Sequence, residues 1–201
     1  EGFPGWLFYA STNFNLQSHF WEELPLLNNY IAECQGRLQQ AAPDNDILLY
    51  FPIHDLWTTY PGDPLLLLDV HKYRRWFGET AFGQTASQLW EAGYSFDYIS
   101  DRQLEQLQVS AEQKLYLTEN RSYQTIVVPK SDYISRATLE RLQQLAQSGA
   151  KIVFVEQLPA NFASLGEQDA NRTFLPKLHA SLKRLSNVQL ATNLLTALDT
   201  W

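Results

Sequence analysis

The 201-residue sequence contains no methionine and a single cysteine, Cys34. A disulfide scaffold or a cysteine-rich metal site needs at least two cysteines, so the composition excludes both. Because methionine is missing even from position 1, we expect the chain to be a piece of a longer protein. Cys34 falls in a predicted amphipathic helix, where a small buried hydrophobic side chain is the favoured interpretation.

Basic residues, long apolar runs and glycine-rich loops are also scarce. Lys and Arg number 15 against 22 Asp and Glu, which gives a formal net charge of −7. A nucleic-acid binder needs a basic surface, so no nucleic-acid partner is expected. The leucines at 65–68 are far fewer than the roughly 18 apolar residues of a membrane span, so no membrane partner is expected either. No glycine-rich loop follows a predicted strand, so we expect no nucleotide or flavin cofactor.

Apolar residues make up 45% of the chain, and they are arranged in alternating strand and helix patterns. Continuous apolar runs such as DILLYF (46–51) and AKIVFVE (150–156) are typical of parallel strands covered on both faces. Strands near 47, 95, 124, 151 and 187 alternate with amphipathic helices. The pattern predicts an α/β fold, a doubly wound parallel sheet of about five strands like that of flavodoxin or the glutamine amidotransferases. Right-handed crossovers make 2-1-3-4-5 the simplest strand order.

Several residues mark the ends of the predicted helices. Ser135 is placed to cap the helix at 135–149, and Asp101 is a candidate cap for a short helix at 102–108. Gly93 and Gly149 stand where a helix C-terminus favours glycine. Thr192 is expected to open the final helix.

The loop PIHDLWTTYPGDP (52–64) is the first candidate ligand site. It follows the first sheet strand, and ligands of open α/β sheets bind beyond the carboxyl ends of the strands. Aromatic rings cover the C–H faces of sugars, and carboxylate and imidazole groups bond their hydroxyls, so we assign carbohydrate binding to His54, Asp55, Trp57 and Tyr60. The alternative is that the aromatic residues pack the loop down or contact another domain.

Two further places could carry chemistry, but a structural role is favoured at both. Asp97 and Asp101 are paired carboxylates, which can act as acid and base or hold a metal. The turn after the central strand contains Lys130 and Ser131, without the strained elbow or neighbouring histidine of a nucleophile. We therefore expect no catalytic residue and no metal site in this chain.

The stretch GWLFYASTNFNLQSHFW (5–21) is the last candidate. Hydroxyl and amide side chains follow a strand-like run, as they do at the mouth of a sugar-binding site, and in a TIM barrel such residues face the active site. Asn13 and Asn15 are the candidate substrate contacts. The alternative is an ordinary loop that leads into the helix predicted at 23–40.

Four segments together resemble a known family. PGWLFYASTNFNLQSHFW, LNNYIAECQGRLQQAAPDNDILLYFPIHDLW, GYSFDYISDRQLEQL and YQTIVVPKSDYISRATLERLQQLAQSGAKIVF are similar, in order and spacing, to a stretch of glycoside hydrolase family 106, the α-L-rhamnosidases. The likeness covers most of residues 3–156 and weakens through 157–201. It implies that residues 1–21 are the last strand and exit loop of a catalytic barrel. Residues 22–201 would then be an accessory α/β domain related to glutamine amidotransferases but without their chemistry.

The resemblance also carries expectations about activity. The family acts with paired carboxylates and a calcium ion, and neither catalytic carboxylate maps onto this stretch. Glu22 and Glu23 are explained by the dipole of the helix that they precede. Asn13 stands where many members have the histidine of a GTHLN-like run, which indicates a divergent subgroup.

Three hypotheses follow for function. The first is a non-catalytic accessory domain of a large glycoside hydrolase, periplasmic or extracellular, whose partners are the remaining domains of the parent chain, especially its barrel. The second is a carbohydrate-binding module that uses the loop at 52–64. The third is a structural domain that braces the barrel or forms a homo-oligomer through an apolar patch within residues 52–77.

Overall fold

The computed structural model describes residues 15–59, 71, 73–118, 121–163 and 168–201. The chain divides into two compact units, Glu1–Ala42 and Pro43–Trp201. Asn13, Tyr60 and the leucines at 65–68 lie outside the described residues. The assignment of residues 1–21 to the end of a barrel stays a prediction.

The first unit contains a single described helix, Leu24–Gln40 (α1), which agrees with the helix predicted at 23–40. Pro25 lies in its first turn, where a missing backbone N–H costs nothing. No residue of α1 is buried, and most of its large apolar side chains are exposed. Cys34 is only half-buried, so the expectation of a buried cysteine is wrong.

The second unit contains ten strands and six helices among the described residues. The strands are Ile47–Tyr50 (β1), Phe96–Ile99 (β2), Gln108–Val109 (β3), Leu115–Thr118 (β4), Arg121–Tyr123 (β5), Thr125–Val128 (β6), Tyr133–Ile134 (β7), Lys151–Val155 (β8), Asn161–Phe162 (β9) and Val188–Ala191 (β10). The helices are Ile53–Thr59 (α2), Ala81–Glu91 (α3), Asp101–Gln106 (α4), Arg136–Gln147 (α5), Gln168–Leu182 (α6) and Leu194–Asp199 (α7). A π-helical turn, Arg74–Gly78, precedes α3. None of the described helices is long and apolar enough to cross a membrane.

The main sheet has five parallel strands in the order β2-β1-β6-β8-β10. Numbered by their sequence, these strands run 2-1-3-4-5, so the predicted strand order and the doubly wound α/β fold are confirmed. Two smaller sheets accompany it, an antiparallel β3-β4-β5 sheet and a pair of two-residue strands, β7 and β9.

The central strands are buried because both faces of the sheet are covered. Along β1, Leu48 and Tyr50 belong to one apolar cluster, whereas Ile47 and Leu49 belong to the other. This alternation follows from the two-residue period of a strand. Leucines of α5 and α6 complete the first cluster, and apolar side chains of α3 and α7 complete the second.

Some of the predicted helix caps are observed, and others are replaced by a neighbouring residue. The Ser135 side chain accepts a hydrogen bond from the Thr138 N–H, and Gly93 and Gly149 have φ of 85° and 102°. Asp101 is not the cap of α4, because the preceding Ser100 has the extended backbone that a cap requires and forms a capping box with Gln103. Asn193 caps α7, so this helix begins one residue later than Thr192 would place it.

Candidate functional site

The five parallel strands end at one edge of the main sheet, and the segments that follow them form the candidate site. These segments hold α2 after β1, Ser100 and α4 after β2, the turn at 129–132 after β6, and Glu156 after β8. This is the edge at which an open α/β sheet binds its ligands.

Asp55, on α2, is tied to the turn that follows β6. Its Oδ1 atom accepts hydrogen bonds from the backbone N–H groups of Asp132, at 2.6 Å, and Tyr133, at 2.9 Å. Burial raises the pKa of the Asp55 carboxyl above its usual range, and the two N–H donors offset only part of that rise. One oxygen of the Asp55 carboxylate, which was predicted to bind a sugar hydroxyl, therefore already accepts hydrogen bonds from two donors of the chain itself.

His54 and Trp57 lie together on the surface of α2. Their rings meet edge to face with centroids 5.9 Å apart, and 60% of Trp57 is exposed. An exposed indole beside an imidazole offers an apolar face next to a polar edge. The sugar-binding assignment of this pair stays a prediction, and Tyr60, its proposed third ring, lies outside the described residues.

Asn15 forms a turn in the first unit. Its Oδ1 atom accepts from the Gln17 N–H at 2.9 Å, and its carbonyl accepts from the Ser18 N–H. These bonds make an Asx-type turn that leads towards α1. The assignment of Asn15 as a substrate contact also stays a prediction.

The carboxylates of Asp101 and Asp97 are bound by hydroxyl groups of neighbouring elements. Asp101 Oδ1 accepts from the Tyr50 hydroxyl, at 2.9 Å, and from the Thr138 hydroxyl. Tyr50 is fully buried, and burial raises the pKa of its phenol far above the usual value. Asp97 accepts from the Tyr123 hydroxyl at 2.7 Å. The Asp101 contacts join β1 to α4 and α5, the Asp97 contact joins β2 to β5, and both favour the structural interpretation.

The turns after β6 and β8 are tied to each other. Lys130 Nζ donates to Glu156 Oε2 at 2.6 Å, and this carboxylate raises the pKa of the lysine. Glu156 has a φ of 61°, which is uncommon outside glycine. The side-chain amide of Gln157 donates to Asp132 Oδ1 at 2.6 Å. No group of three His, Cys, Asp or Glu side chains in the described part of the chain could hold a metal ion.

A groove of about 470 Å³ lies beside the carboxyl ends of β1 and β2. We call it the aromatic groove, and its rings are those of Phe51, Tyr73, Trp76, Phe77, Phe82 and Tyr98. Ile99, Ser100 and Gln103 complete its lining. Tyr73, Trp76 and Phe77 fall within the range 52–77 in which an apolar patch was predicted. The other three rings lie directly after β1, on α3 and on β2, and were not predicted, because only the folded sheet brings them together.

The rings of the aromatic groove are packed around Phe82. Ring centroids lie 5.0 Å from Phe82 to Phe51, 5.4 Å to Phe77 and 5.2 Å to Tyr98. Edge-to-face and tilted contacts at these distances are favourable for aromatic pairs. Phe82 is 2% exposed, whereas Tyr98 is 49% exposed. Partial burial alone raises the pKa of the Tyr98 phenol.

Comparison with known proteins gives the family. The model of the α-L-rhamnosidases, glycoside hydrolase family 106, matches residues 77–193, which is more than half of the chain. The chain belongs to glycoside hydrolase family 106. The family resemblance predicted from the sequence is therefore confirmed, and the match continues past residue 156, after which a weaker likeness was expected.

Two relatives of this family 106 chain are much longer proteins. A candidate β-glucuronidase of Formosa agariphila is 26% identical over 147 residues, which are 73% of this chain and 10% of that protein. The structure of a rhamnosidase from Novosphingobium sp. PP1Y matches 94% of this chain with a TM-score of 0.64 and 21% identity. The chain spans 17% of the length of that rhamnosidase. The structural likeness shows a shared fold.

Proposed function

We propose that the chain is a non-catalytic accessory α/β domain of a large, carbohydrate-degrading glycoside hydrolase that acts on α-L-rhamnosides. One observation carries the proposal: the carboxylates at the carboxyl edge of the sheet are engaged by the chain itself. Asp55 binds two backbone N–H groups, Asp101 binds two hydroxyls, and Glu156 binds Lys130. A glycosidase needs two carboxyl groups that face one substrate across about 5 to 9.5 Å.

The family and the fold support the same proposal. The chain covers a minor share of both larger relatives, as an accessory domain would. The 2-1-3-4-5 order supports a flavodoxin-like relationship, and with it the expected likeness to glutamine amidotransferases. The remaining domains of the parent chain, including a catalytic barrel, are the proposed partners, and a periplasmic or extracellular parent is proposed with them.

The test is a hydrolysis assay with 4-nitrophenyl α-L-rhamnopyranoside. We expect no turnover by the purified chain. Turnover that disappears when Asp55 is changed to Asn or Glu156 to Gln would overturn the accessory role. Turnover that both variants retain and that still co-purifies with the chain would overturn it as well, whereas turnover that is lost on further purification comes from a contaminating enzyme.

A second candidate function is carbohydrate binding through His54 and Trp57. The exposure of Trp57 and its contact with His54 favour this candidate. Titration with rhamnose-containing oligosaccharides, followed by intrinsic fluorescence, tests it. We expect Trp57→Ala to abolish the response and Trp90→Ala, another exposed tryptophan, to leave it intact. No response at millimolar sugar would reject this candidate.

A further inference from the structure

We propose that the aromatic groove binds one sugar ring of a carbohydrate ligand, at a site distinct from the His54–Trp57 pair. The inference rests on the proposed role in a carbohydrate-degrading protein. It is carried by three features of the groove, which are preorganised aromatic walls, a fixed hydrogen-bond donor among them, and the lack of charged side chains among its described lining residues.

The walls of the groove are held in place before any ligand arrives. The buried Phe82 ring contacts the Phe51, Phe77 and Tyr98 rings at once. The first turn of α3 also lies directly against the π-helical turn, since a Cβ atom on Gly83 would stand 1.9 Å from the Phe77 carbonyl oxygen. A rigid aromatic surface binds with little loss of side-chain freedom.

Gln103 supplies a fixed donor in the groove. Its Oε1 atom accepts from the Ser100 N–H at 2.9 Å and from the Ser100 hydroxyl at 2.8 Å. The Ser100 N–H can only donate, so the amide is oriented with Nε2 away from this contact. Neither Nε2 of Gln103 nor the Tyr98 hydroxyl has a partner in the described part of the chain. A wholly apolar occupant would bury both groups unpaired, whereas sugar hydroxyls would satisfy them.

The lining of the groove selects against other small ligands. The nine described lining residues are all uncharged, so none of them would pair with a phosphate, a carboxylate or an ammonium group. The volume of about 470 Å³ falls in the range of small-molecule sites, which combine aromatic walls with a few polar groups. A sugar ring matches both the aromatic walls and the polar groups, because it presents C–H groups on its faces and hydroxyls at its edge.

Titration of the chain with L-rhamnose and with methyl α-L-rhamnopyranoside, followed by two-dimensional NMR, tests this site. We expect saturable shifts at Phe51, Tyr98 and Gln103, with a dissociation constant of about 1–10 mM, as is ordinary for weak binding. Tyr98→Ala removes one wall of the groove. Gln103→Glu keeps an acceptor for Ser100 but removes the donor. Each variant should weaken binding at least about fivefold, which is a change of about 1 kcal/mol.

Tyr30→Ala is the matched control, because Tyr30 is an exposed tyrosine of α1, outside the groove, and its loss should leave the affinity unchanged. The absence of NMR shifts at a sugar concentration of the order of 50 mM, far above the expected dissociation constant, would overturn the inference. Shifts confined to His54 and Trp57 would overturn it as well. Hydrolysis by a chain that still binds sugar in the groove would reject only the accessory role. An inactive chain without groove binding would reject only this inference.

Discussion

The middle of the main sheet and the aromatic groove at its edge use similar side chains to different effect. In β1, β6 and β8 the apolar side chains are shared between two clusters, one on each face, and nearly all of them are withdrawn from water. In the groove, Tyr98 and Tyr73 remain about half exposed beside polar groups of the lining. Apolar composition alone therefore does not separate a buried core from an open groove. What separates them is whether each ring is covered on every side.

The largest difference between the two regions is expected from Phe154→Ala. Phe154 is a fully buried residue of β8, and its truncation leaves a cavity that should lower the free energy of unfolding by about 3–5 kcal/mol. Tyr98→Ala, at the half-exposed edge, should cost about 1 kcal/mol or less, since about half of this residue is already exposed to water. Urea unfolding followed by circular dichroism measures both. Equal losses would contradict the distinction between core and groove.

Gly83→Ala tests how rigidly the groove is built. The added methyl group would meet the Phe77 carbonyl oxygen, so the π-helical turn must move away from α3, at a cost of about 3 kcal/mol. Gly36→Ala is the matched control, because nothing lies within 4 Å of its position and alanine is favoured within a helix. In thermal unfolding, Gly83→Ala should lower the melting temperature and Gly36→Ala should raise it. An unchanged melting temperature for Gly83→Ala would show that the close approach is relieved easily.

Asp101→Ala tests the polar link between the sheet and α5. The Tyr50 and Thr138 hydroxyls would lose their acceptor, and Tyr50 is fully buried, so a loss of about 2 kcal/mol is expected. Denaturant unfolding of this variant and of Glu140→Ala, which removes a half-buried ion pair on α5, measures the loss. A loss no larger than that of the control would mean that water replaces the missing carboxylate.

The smallest effect is expected from Asp55→Asn, and it depends on pH. Burial raises the pKa of Asp55, so the folded chain holds this proton more tightly than the unfolded chain does. The contribution of Asp55 to the free energy of unfolding therefore falls as the pH rises above about 4, the usual pKa of the group. Asparagine keeps an oxygen that can accept from Asp132 and Tyr133, and partial exposure screens the charge, so the change should stay below about 1 kcal/mol.

The measurement for this last prediction is denaturant unfolding of both proteins at pH 4 and pH 6. The variant should lose less stability than the native chain as the pH rises between these values. The same pH dependence in both proteins would show that the pKa of Asp55 is not raised by folding and that its bonds to the turn at 132–133 fully offset the effect of burial.

The sequence signals that succeeded are those with a local physical cause. Ser135 caps α5 because its hydroxyl reaches the N–H three residues later, and Gly93 and Gly149 end their helices because glycine adopts positive φ without strain. The assignment of a cap to Asp101 failed because the neighbouring Ser100 offers the same kind of oxygen. The pair β7 and β9 was missed because two-residue strands carry no period to detect.

The sequence alone determined the family, the doubly wound α/β fold and the strand order, since family likeness and apolar periodicity are properties of the order of residues along the chain. The tertiary structure decided which side chains meet. It placed the carboxylates of Asp55 and Asp101 against donors that lie 37 or more positions away, and it joined Phe51, Phe82 and Tyr98 into one groove. Contacts between such distant positions leave no periodic trace in a single sequence, because they depend on how the sheet and helices pack.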